Sequence, residues 1–137
     1  MRIGVRLASG GIIAAAAAVF ACGGSSSNNN GPSPTTGGCT ASSTSTTITI
    51  SNNAVCPQNI TVARGTQVTF VNQDSRAHEM NSDPHPEHTD CPELNQVGHL
   101  EPGQSRQSGN LNIARRCGFH DHLANENAAL RGSITIQ

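Results

Sequence analysis

Short segments of alternating apolar and polar residues constrain the fold of this chain more than any other feature of its sequence. Such segments lie at residues 46–51, 59–62, 67–72 and 133–136. Alternation with a period of two is typical of strands that bury one face, and turn residues such as Asn52, Asn53 and Gly65 separate the segments. Their spacing predicts an all-β, mainly antiparallel sandwich with one short helix near residues 125–130.

The first 38 residues have a different composition and predict an export signal followed by a tether. Arg2 and Arg6 precede an apolar run that is too short for a stable membrane-spanning helix and that ends at Cys22. This arrangement resembles a bacterial lipoprotein signal, which implies that residues 1–21 are removed and that Cys22 is lipidated. An ordinary secretory signal is the alternative. Residues 22–38 are rich in Gly, Ser and Asn and carry no charge, as flexible tethers do.

These features predict an exported protein that is lipid-anchored to a bacterial membrane, with one domain at residues 39–137 facing the periplasm or the cell exterior. Disulfides persist in such compartments. The formal net charge is −1, so the chain lacks the basic surface that a nucleic-acid partner requires.

Histidine and cysteine are concentrated in one part of the chain. All six His lie between His78 and His122, and Cys91 and Cys117 lie in the same window. Cys117 and His120 are three residues apart, a spacing at which one tight loop turns both side chains toward one metal ion. With His78, which follows another predicted strand, they form a set of one thiolate and two imidazoles. Such a set suits copper, and zinc is the alternative ion because it accepts similar donors.

Five parts of the domain resemble a cupredoxin of the plastocyanin and azurin type. They are residues 60–72, Asp74 with His78, residues 100–105, residues 117–120 and residues 131–136. The resemblance extends from about residue 46 to residue 137. It implies a Greek-key sandwich that holds one copper ion, with His78, Cys117 and His120 as equatorial ligands.

The sequence departs from this family's pattern at the axial ligand. Family members usually carry a Met a few residues after the second ligating His, whereas the two Met of this chain are Met1 and Met80. The axial or accessory candidates are therefore His122, Met80, Asn125, His85 and His88. A strong fourth donor among them predicts a spectrum unlike that of ordinary blue copper.

A long irregular insert at residues 79–96 is the second departure. It lacks alternation and contains His85, His88 and Cys91. Irregular segments of this length in compact domains are usually functional or disordered. Three interpretations stay open, namely a polar surface loop with exposed His, a lid over the copper site, and a separate metal site.

The five cysteines allow two interpretations. If Cys22 is lipidated and Cys117 binds copper, Cys39 and Cys56 are the first candidates for a disulfide, and Cys91 is left free or as a metal ligand. The alternative is a disulfide between Cys91 and Cys117, which removes the thiolate from the predicted copper site.

Together these features predict a membrane-tethered copper protein that transfers single electrons to or from a protein partner. The alternatives are a copper-binding or delivery protein that uses the insert, and a disulfide-stabilised module without copper. We do not expect an enzyme. Multicopper oxidase sites need several His-x-His pairs from two or more domains, and this single domain has one, at residues 120–122.

Overall fold

The computed structural model describes residue 39 and residues 41–137. The predicted signal, the lipidation site Cys22 and the tether lie outside the described residues. Nine strands form in the described part, at Thr47–Ser51 (β1), Ala54–Cys56 (β2), Asn59–Val62 (β3), Thr69–Asn72 (β4), His78–Ser82 (β5), Gly98–Leu100 (β6), Ser105–Gln107 (β7), Arg116–Asp121 (β8) and Arg131–Ile136 (β9). None of the described segments forms a helix with the length and apolar character needed to cross a membrane.

The strands form two sheets, in the orders β2-β1-β4-β7 and β3-β9-β8-β5-β6. The pairs β1–β4 and β3–β9 are parallel, and the other pairs are antiparallel. The rings of Phe70 on β4 and Phe119 on β8 meet edge to face, with centroids 5.3 Å apart, and so join the two sheets across the core. The predicted all-β sandwich is confirmed.

Strand β1 shows why the alternating pattern predicts this fold. Ile48 and Ile50 are fully buried, while Thr47 and Thr49 on either side of Ile48 are exposed or half-buried. A strand directs successive side chains to opposite faces, so one apolar face covers the core and the Thr face remains polar.

Two three-residue 3₁₀ turns occupy the region of the predicted short helix. They span His122–Ala124 and Ala128–Leu130. The side chain of Asn127 accepts a hydrogen bond from the backbone N–H of Ala129 at 3.0 Å, which caps the second turn. The segment therefore turns twice and does not propagate an α-helix.

The predicted irregular insert contains strand β5. This strand lies between β8 and β6 in the five-stranded sheet. Its residues His78, Asn81 and Ser82 are polar and yet buried. The strand therefore has no apolar alternation for a sequence pattern to detect, and only residues 83–92, here called the insert loop, are irregular before the 3₁₀ turn at Leu94–Gln96.

Two disulfides link the described residues. Cys39 joins Cys56 on β2, with Cα atoms 5.5 Å apart. Cys91, at the end of the insert loop, joins Cys117 on β8, with Cα atoms 5.8 Å apart.

Candidate metal centre

Four histidines converge where the insert loop meets strand β8. One potential ligand nitrogen from each of His85, His88, His120 and His122 lies within 4.8 Å of the others. We call these four residues the histidine cluster. His120 is buried, His88 and His122 are half-buried, and His85 is exposed. The cluster thus has a protected inner side and one ligand at the solvent edge.

Strand β8 and the 3₁₀ turn that follows it supply half of the histidine cluster. Cys117 and Phe119 point into the hydrophobic core. His120 follows Phe119 and therefore points to the opposite, outer face of the sheet. His122 follows in the 3₁₀ turn that begins after Asp121, whose side chain accepts a hydrogen bond from the backbone N–H of Leu123 at 3.1 Å.

The insert loop supplies His85 and His88, and hydrogen bonds within the loop fix its backbone. The N–H of His88 donates to the carbonyl of Pro84 at 2.7 Å, and the N–H of Asp90 donates to the carbonyl of Asp83 at 2.8 Å. The side chain of Asn95 accepts from the N–H of Ser82 at 2.9 Å and donates to the carbonyl of His88 at 2.8 Å. These bonds hold the loop as an ordered cover against the outer face of the sheet.

His120 has one ring nitrogen engaged and one without a partner. Its Nδ1 lies 2.7 Å from Oδ1 of Asp83. A carboxylate only accepts hydrogen bonds, so Nδ1 is the donor. The Nε2 of His120 is buried and makes no hydrogen bond. Buried polar atoms are nearly always satisfied, and an unpaired nitrogen in a ring that packs among other imidazoles is an arrangement that a metal ion completes.

The remaining imidazoles pack against the His120 ring and against one another. The Nε2 of His88 lies 3.1 Å from the Nδ1 of His122. The ring centroids of His85 and His122 are 4.8 Å apart, and those of His88 and His120 are 5.2 Å apart. Burial and the neighbouring rings of His120 and His122 lower the pKa of His88 below its usual value. The lowered pKa favours the neutral ring, which is the form that binds metals.

The donor set fits a first-row transition metal. Imidazole is a common ligand of copper, zinc, iron and nickel. Nitrogen ligands at about 2.0–2.1 Å from one ion stand within about 4 Å of one another. The 4.8 Å spread of the cluster is only slightly wider than this, so small side-chain rotations bring the four nitrogens together.

The structure does not assemble the predicted ligand set of His78, Cys117 and His120. Cys117 is joined to Cys91, so its sulfur is not a thiolate. In addition, residues three apart on an extended strand face opposite sides, and β8 runs unbroken through Cys117 and His120. The predicted tight loop, in which both side chains turn to one ion, does not form.

His78 is held by carboxylates and not by the cluster. Its Nδ1 lies 2.7 Å from Oδ2 of Asp121 and its Nε2 lies 3.0 Å from Oδ2 of Asp74. Burial raises the pKa of Asp74, but hydrogen bonds from the Asn53 backbone and the His78 ring outweigh this, and the pKa is lowered overall. Both ring nitrogens of His78 face carboxylate oxygens, and His78 is not among the residues whose nitrogens converge in the histidine cluster.

Only some of the predicted axial or accessory ligands lie in the histidine cluster. His122, His85 and His88 all belong to the histidine cluster. Met80 is buried in the hydrophobic core. Asn125 follows the first 3₁₀ turn, and its carbonyl accepts a hydrogen bond from Nε of Arg131 at 2.7 Å. The His-x-His pair at residues 120–122 is the sequence signal for this cluster, although His122 reaches it from the 3₁₀ turn that follows β8.

Comparison with known proteins supports the fold. No protein-family model matches the sequence, and no curated protein sequence is significantly similar to it. Among solved structures, a purple cupredoxin from Nitrosopumilus maritimus is similar with a TM-score of 0.51 and 18% identity, covering 66% of this chain and 98% of that one.

Two other solved structures agree with this likeness. Oxidised plastocyanin from the fern Dryopteris crassirhizoma has a TM-score of 0.52 and 21% identity, with coverage of 66% and 99%. A mutant amicyanin in its Cu(I) form has a TM-score of 0.52 and 16% identity, with coverage of 66% and 80%. The chain therefore has the cupredoxin fold, as the sequence resemblance predicts.

Proposed function

We propose that this domain binds one copper ion through the histidine cluster and transfers single electrons. The observation that supports the proposal best is the buried, unpaired Nε2 of His120, in a cluster with three other imidazoles. The similar solved structures include cupredoxins, one of them described in its Cu(I) form. Copper(II) also has the highest affinity of the first-row divalent ions for a nitrogen site.

Bound copper supplies a one-electron couple at this site, and the protein's part is to keep the ligands in place. His120 is fixed by Asp83, and the turn that carries His122 is capped by Asp121. The insert loop is tied to β8 by the disulfide from Cys91 to Cys117. Ligands held from both sides move little when the charge of the ion changes, which favours electron transfer.

The spectrum of the copper-loaded protein tests the ligand set. We expect one Cu(II) per chain, an electron paramagnetic resonance signal with splitting from several nitrogens, and no intense thiolate-to-copper band. A reversible one-electron wave is expected in voltammetry. His120→Ala removes the buried ligand and abolishes binding.

His99→Ala provides the matched control. His99 is exposed and its Nε2 lies 3.1 Å from Glu101, outside the histidine cluster. The variant binds copper as the wild type does. Copper binding that survives His120→Ala, or that is lost equally in His99→Ala, contradicts the proposed site. Displacement of copper by equimolar zinc contradicts the proposed ion.

Copper delivery is a second candidate function, and the exposure of His85 favours it. A ligand at the solvent edge is the natural point at which a partner or chelator takes over the ion. Rapid transfer of the ion to a chelator, combined with an irreversible voltammetric wave, would identify delivery as the role. Slow exchange with a reversible wave supports electron transfer.

We further propose where this protein is located and what it interacts with. The protein is exported, and lipid on Cys22 anchors it to a bacterial membrane facing the periplasm or the exterior. Its partners are the membrane and a protein that exchanges electrons or copper, with no nucleic acid involved. A carrier role is proposed because the four imidazoles of the histidine cluster together could hold one ion. Labelling with radioactive palmitate, and its loss in Cys22→Ser, tests the anchor.

A further inference from the structure

The carboxylate of Asp83 lies behind the most buried ligand of the histidine cluster. Its Oδ1 is 2.7 Å from Nδ1 of His120, on the side of the ring away from the unpaired Nε2. The His120 side chain is 0% exposed, whereas that of Asp83 is 39% exposed. The carboxylate therefore keeps contact with water while its hydrogen bond reaches a buried ring, which limits the cost of placing a charge there.

Gly118 makes room for this carboxylate. A Cβ atom at position 118 would stand 2.9 Å from Cγ and 3.2 Å from Cβ of Asp83, and it would overlap the carboxylate oxygen. The backbone fixes the same approach, because the N–H of Asp83 donates to the carbonyl of Gly118 at 3.0 Å. Only a residue without a side chain at position 118 leaves the carboxylate in this place.

We propose that Asp83, seated over Gly118, is a positioning residue that fixes the tautomer of His120 and thereby sets copper affinity and reduction potential. The inference about copper rests on the proposed function. Neutral histidine carries its hydrogen on either ring nitrogen. The acceptor at Nδ1 selects the form in which Nε2 has the free lone pair, and it makes the ring a stronger donor. A stronger donor stabilises Cu(II) relative to Cu(I).

The tautomer is tested without metal, so this result does not depend on the proposed function. Nitrogen-15 chemical shifts of the histidine rings in the metal-free protein should show His120 protonated at Nδ1. In Asp83→Ala that preference is lost, while Asp83→Asn retains it because the amide oxygen still accepts. A wild-type His120 protonated at Nε2, or one unchanged in Asp83→Ala, overturns the proposal.

Copper binding provides the second test. Loss of a partner behind a metal ligand typically weakens binding about 10- to 100-fold, and we expect a loss of this size in Asp83→Ala. Asp83→Asn preserves the tautomer but removes the charge. This variant should therefore lose less copper affinity than Asp83→Ala, and the reduction potential of its bound copper should be higher than in wild type. A purely structural role for Asp83 would not produce this ordered change in potential.

Asp90→Asn is the matched control. Asp90 is an exposed carboxylate lining the same cleft of about 300 Å³ as Asp83 and Gly118. Its bond to the insert loop runs through its backbone N–H, which the substitution retains. We expect wild-type affinity and potential. An Asp90→Asn variant that shifts both as far as Asp83→Asn would assign the effect to general charge and overturn the proposal.

The role of Gly118 is tested by a double-mutant cycle. Gly118→Ala should displace the carboxylate and reproduce the affinity loss of Asp83→Ala. In the Asp83→Ala background the same substitution meets only the Cβ atom of residue 83 and should add little. If the losses of copper affinity in the two single variants add fully in the double variant, Gly118 and Asp83 are not coupled and the proposed role of Gly118 is wrong. If Gly118→Ala does not fold, its folding in the Asp83→Ala background shows the same coupling, and failure in both backgrounds contradicts it.

Discussion

The disulfide between Cys91 and Cys117 should contribute to both stability and copper binding, and the second disulfide separates these effects. Replacing both cysteines with Ala opens a loop with a sequence separation of 26, for which the chain-entropy relation gives a loss of about 3.5 kcal/mol. Removing Cys39 and Cys56, with a separation of 17, gives about 3.1 kcal/mol by the same relation. The two double variants should therefore be almost equally destabilised in urea unfolding.

Copper affinity should differ between these variants. The first disulfide ties the insert loop, with His85 and His88, to the strand that carries His120. Ordering a freed loop costs about 1–2 kcal/mol per residue fixed, so releasing even one residue weakens binding about tenfold. Cys39 and Cys56 carry no part of the histidine cluster, and their removal should leave affinity unchanged.

Competition titration of Cu(II) against a chelator measures this difference. Equal affinity in the two double variants would refute the claim that the disulfide holds the ligand-bearing loop. The single variant Cys91→Ser sharpens the test, since it frees the thiol of Cys117. We expect no intense thiolate band even then, because that side chain points into the core and away from His120. Such a band in wild type would refute the disulfide itself.

Three further predictions follow from the contacts around the site. His78→Ala leaves Oδ2 of the buried Asp121 carboxylate without its hydrogen-bond donor, and should cost about 1–3 kcal/mol in urea unfolding. His85→Ala alters only an exposed ligand, so thermal unfolding of the metal-free protein should not change while chelator exchange of copper accelerates. The pKa of His88 is lowered by burial and by neighbouring imidazoles, so the folded state binds fewer protons there than the unfolded state. Metal-free stability is then full above about pH 6.5 and decreases as the pH falls through the lowered pKa, and His88→Gln should flatten this dependence. The lowered pKa of Asp74 extends the decline below pH 3.8, because its stabilising contribution is present above that value and lost on protonation.

The fold could be predicted from the sequence where burial follows hydrophobicity. Strands β1, β3, β4 and β9 alternate apolar and polar residues, and all four were predicted near their observed positions. The sequence pattern does not predict strand β5, because polar residues such as His78 are buried there, and His78 is held by a hydrogen bond to Asp121. A pattern of hydrophobicity does not register burial that depends on such a distant partner.

The sequence names the histidines that meet in the structure, but it predicts a different arrangement of ligands around Cys117. His120 and the lower-ranked His85, His88 and His122 are all in the histidine cluster. The sequence predicts Cys117 as a ligand only if a tight loop brings its sulfur and the His120 imidazole together, and the observed strand separates them. Whether a Cys-x-x-His segment is extended or looped depends on its pairing with β5 and β9, which is a property of the tertiary structure.

The alternation of β8 determines which of its residues can be substituted without altering the fold. Cys117 and Phe119, at odd-numbered positions of the strand, pack in the hydrophobic core. Gly118 and His120, at even-numbered positions, lie on the side of the strand that carries the proposed metal ligand. Apart from Cys117, whose disulfide also holds the insert loop, the core-facing residues of β8 contribute no ligand to the histidine cluster. The ion preference of such a sheet can therefore be redesigned, in the laboratory or by descent, while the sandwich beneath it stays the same.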